Sequence, residues 1–192
     1  MRLLSLSLAA AALLAGPAAA QLAAGSSAPV DITADELETT NGACTSIWRG
    51  HAEALQDNAR LRADVLTIDF AAKPGGGGAA GKTGACGDVT HMHADGSVYY
   101  VTPNQKVHGD QADYVAANNT LTVTGDVVAT QGMNVLRGSR MVFNTVTGQG
   151  HMEGGATGRN KANRPRGVFY PKQQTNSSSS SSTSTSSSSP KR

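Results

Sequence analysis

The stretch GDVVATQGMNVLRGSRMVF, residues 125–143, has the pattern of two β-strands joined by a turn. Val127 and Ala129 alternate with outward positions, the period of a strand with one buried face. The residues QGMN that follow are typical of a turn. In the second half Met141 and Phe143 share a face, so this stretch predicts a β-hairpin with one apolar side.

The chain contains this pattern more than once. Leu136 stands eleven positions after Gly125, and the same step leads from Gly50 to Leu61 and from Gly96 to Val107. With a half copy that begins at Ile32, the leading apolar residues are separated by 29, 46 and 29 positions. The middle spacing is one 29-residue unit plus 17 residues, which we assign to a glycine-rich insertion near 73–87. Such periodicity indicates stacked supersecondary units.

The repeats predict an all-β fold of stacked short antiparallel strands, because no segment after the N-terminal one shows sustained helical periodicity. In each half of a unit every second residue is apolar, but the two halves are out of step by one residue. The change falls at Ala34, Ala63, Gly109 or Gly138, where a bulge or bend would keep both halves of the strand facing inward. Stacked bent strands would form an open groove with unpaired edges. Its inward face is predicted to contain Leu37, Trp48, Ala52, Ala54, Leu66, Ile68, Val98, Tyr100, Ala112, Tyr114, Val127, Ala129, Met141 and Phe143. Trp48 could line one end of the groove or simply pack in the core.

The N-terminus has the features of a secretory signal peptide over residues 1–20. Arg2 is followed by an apolar run and by a small-residue cleavage site at Ala18–Ala20. The apolar run is short for a membrane span, which needs about 20 residues, although an uncleaved anchor is the alternative. We therefore expect a protein exported from the cytoplasm, with a flexible N-terminus over 21–28 and one domain over 29–171.

The charge is divided unevenly along the chain. Seven basic and no acidic residues lie from Gly154 to the end, whereas the preceding repeats are acidic. An acidic repeat region argues against a nucleic-acid partner. The basic end could meet phosphate groups or be only a solvated terminus. Residues 172–192 contain a serine-rich tract that is expected to be disordered.

The order and spacing of several short motifs resemble the OstA-like family. They are PVDITADELE (29–38), GHAEALQ (50–56), LRAD (61–64), GDVVATQG (125–132), LRGS (136–139), MVFNTVTGQGHMEG (141–154) and RPRGVFYP (164–171). The resemblance covers roughly Pro29 to Pro171. The insertion, the two cysteines and the serine tail are not part of the family's core repeat.

This resemblance implies a twisted open β-jellyroll whose interior shelters the lipid A acyl chains of lipopolysaccharide. It also implies edge-to-edge assembly with similar folds, one anchored in the inner membrane and one belonging to the outer-membrane assembly protein. A head-to-tail homo-oligomer of the chain is a further expectation. Strand addition at open edges is the physical basis of such assembly. No cofactor is implied, and an ATPase elsewhere in the system would supply the energy.

Cys44 and Cys86 are the two cysteines, and in an exported protein a pair usually forms a disulfide. Cys44 falls in a turn and Cys86 in the insertion, so a bridge could fasten the insertion to a neighbouring unit. A reactive or metal-binding pair is the rival interpretation, but neither cysteine has a further ligand at suitable spacing.

Three other motifs suggest chemistry only weakly. Residues 76–83 match the phosphate-loop pattern, but no helix signal follows, which favours a surface loop. His91 and His93 share a strand face that could hold copper or zinc, yet no third ligand is visible nearby, and we predict no metal. Asp35, Asp64 and Asp110 recur once per unit, which fits the bend better than a catalytic pair of carboxylates.

Two hypotheses therefore remain. The chain is a lipid-carrying bridge component, or it is a structural β-repeat module of the envelope that assembles through its edges without lipid. A carrier needs a lining that acyl chains can reach, and the alanines at 52, 54, 112 and 129 weakly favour such space. An enzyme is not supported by any arrangement of residues.

Overall fold

The computed structural model describes residues 22–24, 26–40, 43–72, 86–156 and 163–171. Ten strands form one sheet: β1 (Asp31–Thr33), β2 (Glu36–Thr40), β3 (Thr45–Gln56), β4 (Ala59–Ala72), β5 (Cys86–Val101), β6 (Lys106–Val115), β7 (Thr120–Gln131), β8 (Asn134–Asn144), β9 (Gly150–Glu153) and β10 (Arg166–Val168). A 3₁₀ turn, Ala116–Asn118, joins β6 to β7. Within these ranges no helix is long and apolar enough to cross a membrane. The signal peptide, the phosphate-loop pattern and the serine tract lie outside the described residues.

The sheet is an antiparallel meander that does not close on itself. From β3 to β8 each strand pairs with the next one along the chain, β1 and β2 both pair with β3, and β9 and β10 both pair with β8. The two ends of the sheet are therefore separate edges. This arrangement confirms the predicted all-β, open β-jellyroll.

A crease crosses the long strands at the same level. On β3, Gly50 and His51 together oppose Asp64 of β4, because the register shifts between the pairs Arg49–Val65 and Ala52–Ala63. Gly50 and His51 both have left-handed backbone, with φ of 78° and 49°. The next odd-numbered strand repeats this geometry at Gly96 and Ser97, with φ of 80° and 46°.

The predicted bend is thus present, but the left-handed residues are on the partner strand. Ala63, Gly109 and Gly138 mark the change of parity, whereas the residue with φ above zero is the glycine that opens each copy. Glycine adopts such angles without the steric cost that a Cβ brings. This is the physical reason why each copy begins with Gly.

The repeated aspartates lie against these glycines. A Cβ on the glycine would overlap the carboxylate of the aspartate, and this holds for the pairs Asp35–Gly50, Asp64–Gly96 and Asp110–Gly125. Along the sequence the two members of these pairs are 15, 32 and 15 positions apart. The 17 inserted residues account for the longer separation between Asp64 and Gly96. The aspartates therefore belong to the crease, as their spacing predicted.

The crease folds the sheet into two facing halves. One half carries Val98 and Tyr100 of β5 inward, and the other carries Met141 and Phe143 of β8. The rings of Tyr100 and Phe143 meet across the interior with their centroids 5.4 Å apart. The core consequently lies between the halves, along the inside of the fold.

Two residues ahead of the first strand also enter this core. Leu22 and Ala23 are buried, and both backbone N–H groups donate to Oε1 of Gln56, at 2.7 and 3.1 Å. The Tyr100 hydroxyl donates to the Leu22 carbonyl at 2.7 Å. Two polar side chains of the sheet, Gln56 and Tyr100, thus hold the backbone of Leu22 and Ala23.

Candidate functional site

The interior of the folded sheet is the candidate functional site. Most of the predicted inward residues are buried there: Ala52, Ala54, Leu66, Ile68, Val98, Tyr100, Ala112, Tyr114, Val127, Ala129 and Phe143. Trp48 and Met141 are half-buried and pack against this core. Leu37 shares their face, since it pairs with Trp48, but it is 48% exposed. The structure thus places Leu37 at the rim of the interior rather than in its core.

Sequence reasoning omitted several residues that also line the interior. Leu61, Met92, Ala94, Val107, Leu121 and Val123 are all buried. Their signal was present, because Met92 and Ala94 alternate with His91 and His93, and Leu121 and Val123 alternate with threonines. Applying the two-residue period to every strand, and not only to the aligned repeat positions, would have found them.

At one end the interior opens into a mostly apolar cavity of about 280 Å³. Leu37, Trp48 and Phe70 line it, together with the disulfide between Cys44 and Cys86. The Cα atoms of the two cysteines are 5.6 Å apart. The bridge confirms the predicted pairing and fastens the turn before β3 to the beginning of β5 at the mouth of this cavity.

At the other end a cavity of about 80 Å³ lies beside the inner face of β8. Its apolar wall consists of Ala129, Leu136, Met141 and the ring of Phe169, which is 68% exposed. Phe169 follows β10 and leans over the end of the core. Both ends of the folded sheet therefore present apolar side chains to solvent.

Between these ends the two halves are in contact. Val98, Tyr100, Tyr114 and Leu121 are each 0 or 1% exposed. The polar atoms of the tyrosines are satisfied, since Tyr100 donates to the Leu22 carbonyl and Tyr114 donates to Oδ1 of Asn119 at 2.9 Å. Burial raises the pKa of Tyr100, which keeps its hydroxyl neutral. A long apolar ligand would have to separate the halves to occupy the middle of the interior.

The outer face is polar by contrast. His91 lies between Asp69 and Asp113, with nitrogen to oxygen distances of 3.7 and 3.6 Å, and His93 Nδ1 is 2.8 Å from Asp113 Oδ1. These four side chains form a ladder across three strands. Within the described ranges no group of three or more His, Cys, Asp or Glu residues has an arrangement that could hold a metal ion. The ladder is best understood as cross-strand pairing.

Comparison with known proteins identifies the same architecture elsewhere. Residues 31–149 match the family described as LptA/(LptD N-terminal domain) LPS transport protein. The crystal structure of LptH, the LptA homologous periplasmic component of the lipopolysaccharide transport device from Pseudomonas aeruginosa, aligns with a TM-score of 0.59 at 18% sequence identity, over 75% of this chain and 96% of that one. No curated protein matches the chain significantly in sequence.

Proposed function

Because the chain belongs to the LptA/LptD N-terminal domain family of lipopolysaccharide transport proteins, we propose that it is a periplasmic bridge component that carries lipopolysaccharide. In this proposal the lipid A acyl chains enter the apolar interior of the creased sheet, and the sugars stay in water. The chain passes the lipid from the inner toward the outer membrane by joining partner jellyrolls edge to edge.

The observation that carries the proposal is the apolar lining that runs from one open end of the fold to the other. It begins at Leu37 and Trp48, continues through Ile68 and Tyr114, and ends at Met141. Each buried CH₂ contributes about 0.8 kcal/mol, so a lipid with several acyl chains needs such a lining to cross an aqueous compartment. We assign the chain to transport rather than to catalysis.

Loading requires the two halves to move apart. The contact between Tyr100 and Phe143 closes the interior in the structure, and acyl chains would replace this contact with their own. The crease supplies the hinge for the movement, since the strands change direction there. The cavities at the two ends offer the places where the first methylene groups can enter.

The edges of the sheet provide the sites of assembly. β1 and β2 form one edge, and β9 and β10 form the other. We propose that these edges accept strands of the inner-membrane-anchored and outer-membrane Lpt components, or of another copy of this chain arranged head to tail. Joined in this way, the interiors would form one continuous apolar path.

A structural module without lipid is the second candidate, and the filled middle of the interior favours it. The two functions are separated by photo-crosslinking with a benzophenone side chain at Met141, which faces the interior, and at the neighbouring outward Arg140. A carrier gives crosslinks to lipopolysaccharide at 141 and not at 140. No crosslink at either position in the folded, exported protein would support the structural module.

A further inference from the structure

The outer face of β8 carries a positively charged cavity of about 460 Å³. Arg137 of β8, Arg166 of β10 and Arg164 just before β10 line it, and Asp126 is the acidic residue in its wall. Three guanidinium groups against one carboxylate give the cavity an excess of positive charge. It lies on the opposite face of the sheet from the apolar interior.

The arginines of this cavity are arranged unlike the other arginines of the sheet. Arg60 and Arg62 both contact Glu53, and Arg140 contacts Glu153. Arg137, Arg164 and Arg166 have no carboxylate within 4.0 Å among the described residues. Arg137 and Arg166 are direct cross-strand partners, an arrangement in which like charges repel. An anion in the cavity would relieve this repulsion.

The cavity lies where the edge of the sheet is interrupted. β10 pairs with residues 135–137 of β8 and β9 pairs with residues 140–143, so Gly138 and Ser139 lie between the two edge strands and contribute to the cavity wall. On the inner face of the same strand, Leu136 and Met141 line the apolar cavity at this end of the groove. Apolar and cationic surfaces are therefore separated only by the thickness of one strand.

We propose that Arg137, Arg164 and Arg166 bind phosphate groups of the lipopolysaccharide headgroup while its acyl chains occupy the adjacent end of the groove. This inference rests on the proposed function and adds to it a site for the polar part of the lipid. Guanidinium groups suit phosphate because their fork of N–H donors can make two parallel hydrogen bonds to its oxygens. Free phosphate has the same chemistry, so the test must distinguish the two sources.

The test compares the mature protein with the variant Arg137→Gln/Arg166→Gln. Binding is measured with one lipopolysaccharide preparation and with the same preparation after enzymatic dephosphorylation. The control is Arg62→Gln, which removes an outer-face arginine that already has a carboxylate partner. We expect the double variant to bind phosphorylated lipopolysaccharide at least about tenfold more weakly, given the strength of charge-assisted hydrogen bonds. The control should bind like the wild type, and dephosphorylated lipid should bind all three proteins equally.

Thermal unfolding without lipid checks that the variants fold. The double variant should melt at the wild-type temperature or above it, since a repulsive pair has been removed. Unchanged binding of phosphorylated lipid to the folded double variant would overturn the headgroup site and leave the proposed function intact. Inorganic phosphate that binds the wild type as tightly as the lipid does would also overturn the headgroup assignment. Failure of the wild type to bind either lipid form would overturn both proposals.

Discussion

At the scale of single residues, the crease depends on glycines that have no room for a side chain. Gly96 has φ of 80°, and the space that its Cβ would occupy is taken by the carboxylate of Asp64. Gly50 and Gly125 stand in the same relation to Asp35 and Asp110. Gly132 also has a positive φ, of 58°, but nothing lies within 4 Å of the position that a Cβ atom would take there. Comparing Gly96 with Gly132 therefore separates the free-energy cost of left-handed backbone from the cost of steric overlap with Asp64.

We predict that Gly96→Ala destabilises the protein more than Gly132→Ala does. Left-handed backbone costs an L-residue about 1–2 kcal/mol, and both variants incur that cost. Only Gly96→Ala adds the overlap with Asp64. Urea unfolding of both variants measures the difference. Introducing Asp64→Ala beside Gly96→Ala should reduce the extra loss, and an equal loss in the two single variants would contradict the crease contact.

A second prediction concerns His51, whose ring nitrogen is 3.1 Å from Oδ2 of Asp35. The hydrogen bond to Asp35, and then its charge, raise the pKa of His51 above the ordinary 6.5. A raised folded-state pKa means that the stabilisation is fully present below pH 6.5 and disappears as the pH rises through the folded-state value. His51→Asn keeps a residue that tolerates the left-handed backbone and removes this titration.

We therefore expect the difference in melting temperature between wild type and His51→Asn to be larger at about pH 5.5 than at about pH 8.5. Ser97→Asn is the matched control, because Ser97 occupies the corresponding left-handed position, with φ of 46°, in the next copy. Its effect should not change over this pH range. A His51→Asn effect of the same size at both pH values would show that the pair with Asp35 adds no stability.

The sequence was sufficient to predict much of the inward face, residue by residue. Tyr114 and Phe143 follow from the two-residue period alone. The exposure of Leu37 does not follow from this period, because it depends on which side chains lie opposite Leu37 at the open end of the groove. The burial of Leu22 depends on hydrogen bonds to side chains 34 and 78 positions further along, Gln56 and Tyr100. No local pattern contains such distant partners.

At the scale of elements, the disulfide links segments that are not neighbours in the sheet. Cys44 precedes β3 and Cys86 begins β5, so the bridge passes over the end of β4. The backbone N–H of Phe70 in β4 also donates to the Cys44 carbonyl, at 2.9 Å. Three strands are thereby held together at the mouth of the apolar cavity. The bridge encloses the glycine-rich insertion in a covalent ring.

Replacing both cysteines, as Cys44→Ser/Cys86→Ser, should lower the free energy of unfolding. The sequence separation is 42 residues, and the chain-entropy model assigns about 4 kcal/mol to closing a loop of this size. Denaturant unfolding with and without a thiol reductant measures the effect. The reductant should weaken the wild type and leave the double variant unchanged. A wild type that is equally stable under both conditions would contradict a structural role for the bridge.

The strands and the level of the bend were predictable because both recur with the unit. Which residues have left-handed backbone was not predictable. The bulge, in which two residues of one strand lie opposite one residue of the next, forms only in a particular register of the two strands. Register is a property of two paired strands, whereas a repeat pattern describes one strand at a time. The partner of Gly50 and His51 could therefore be assigned only in the folded sheet.

At the scale of the whole molecule, the protein combines an apolar inside with a charged outside on a single folded sheet. The order of strands follows the order of the chain from β3 to β8, so the strand pairing of this part of the sheet joins each unit to its neighbours. The same simplicity made the fold predictable from its repeats. The closed middle of the interior was not predictable, because it reflects how closely the two halves approach each other.

The contact between aspartate and glycine has a consequence for how long such a molecule can be. The two partners belong to consecutive units, as with Asp110 and Gly125, and regular pairing resumes on either side of the crease. A duplicated unit would bring one such glycine and one such aspartate, so its glycine would meet the aspartate of the unit before it and its aspartate would meet the glycine of the unit after it. Each duplication would lengthen the fold by two strands, about 10 Å, without altering its cross-section. The length of the folded sheet is therefore a whole number of units, and gene duplication would increase it in steps of fixed size.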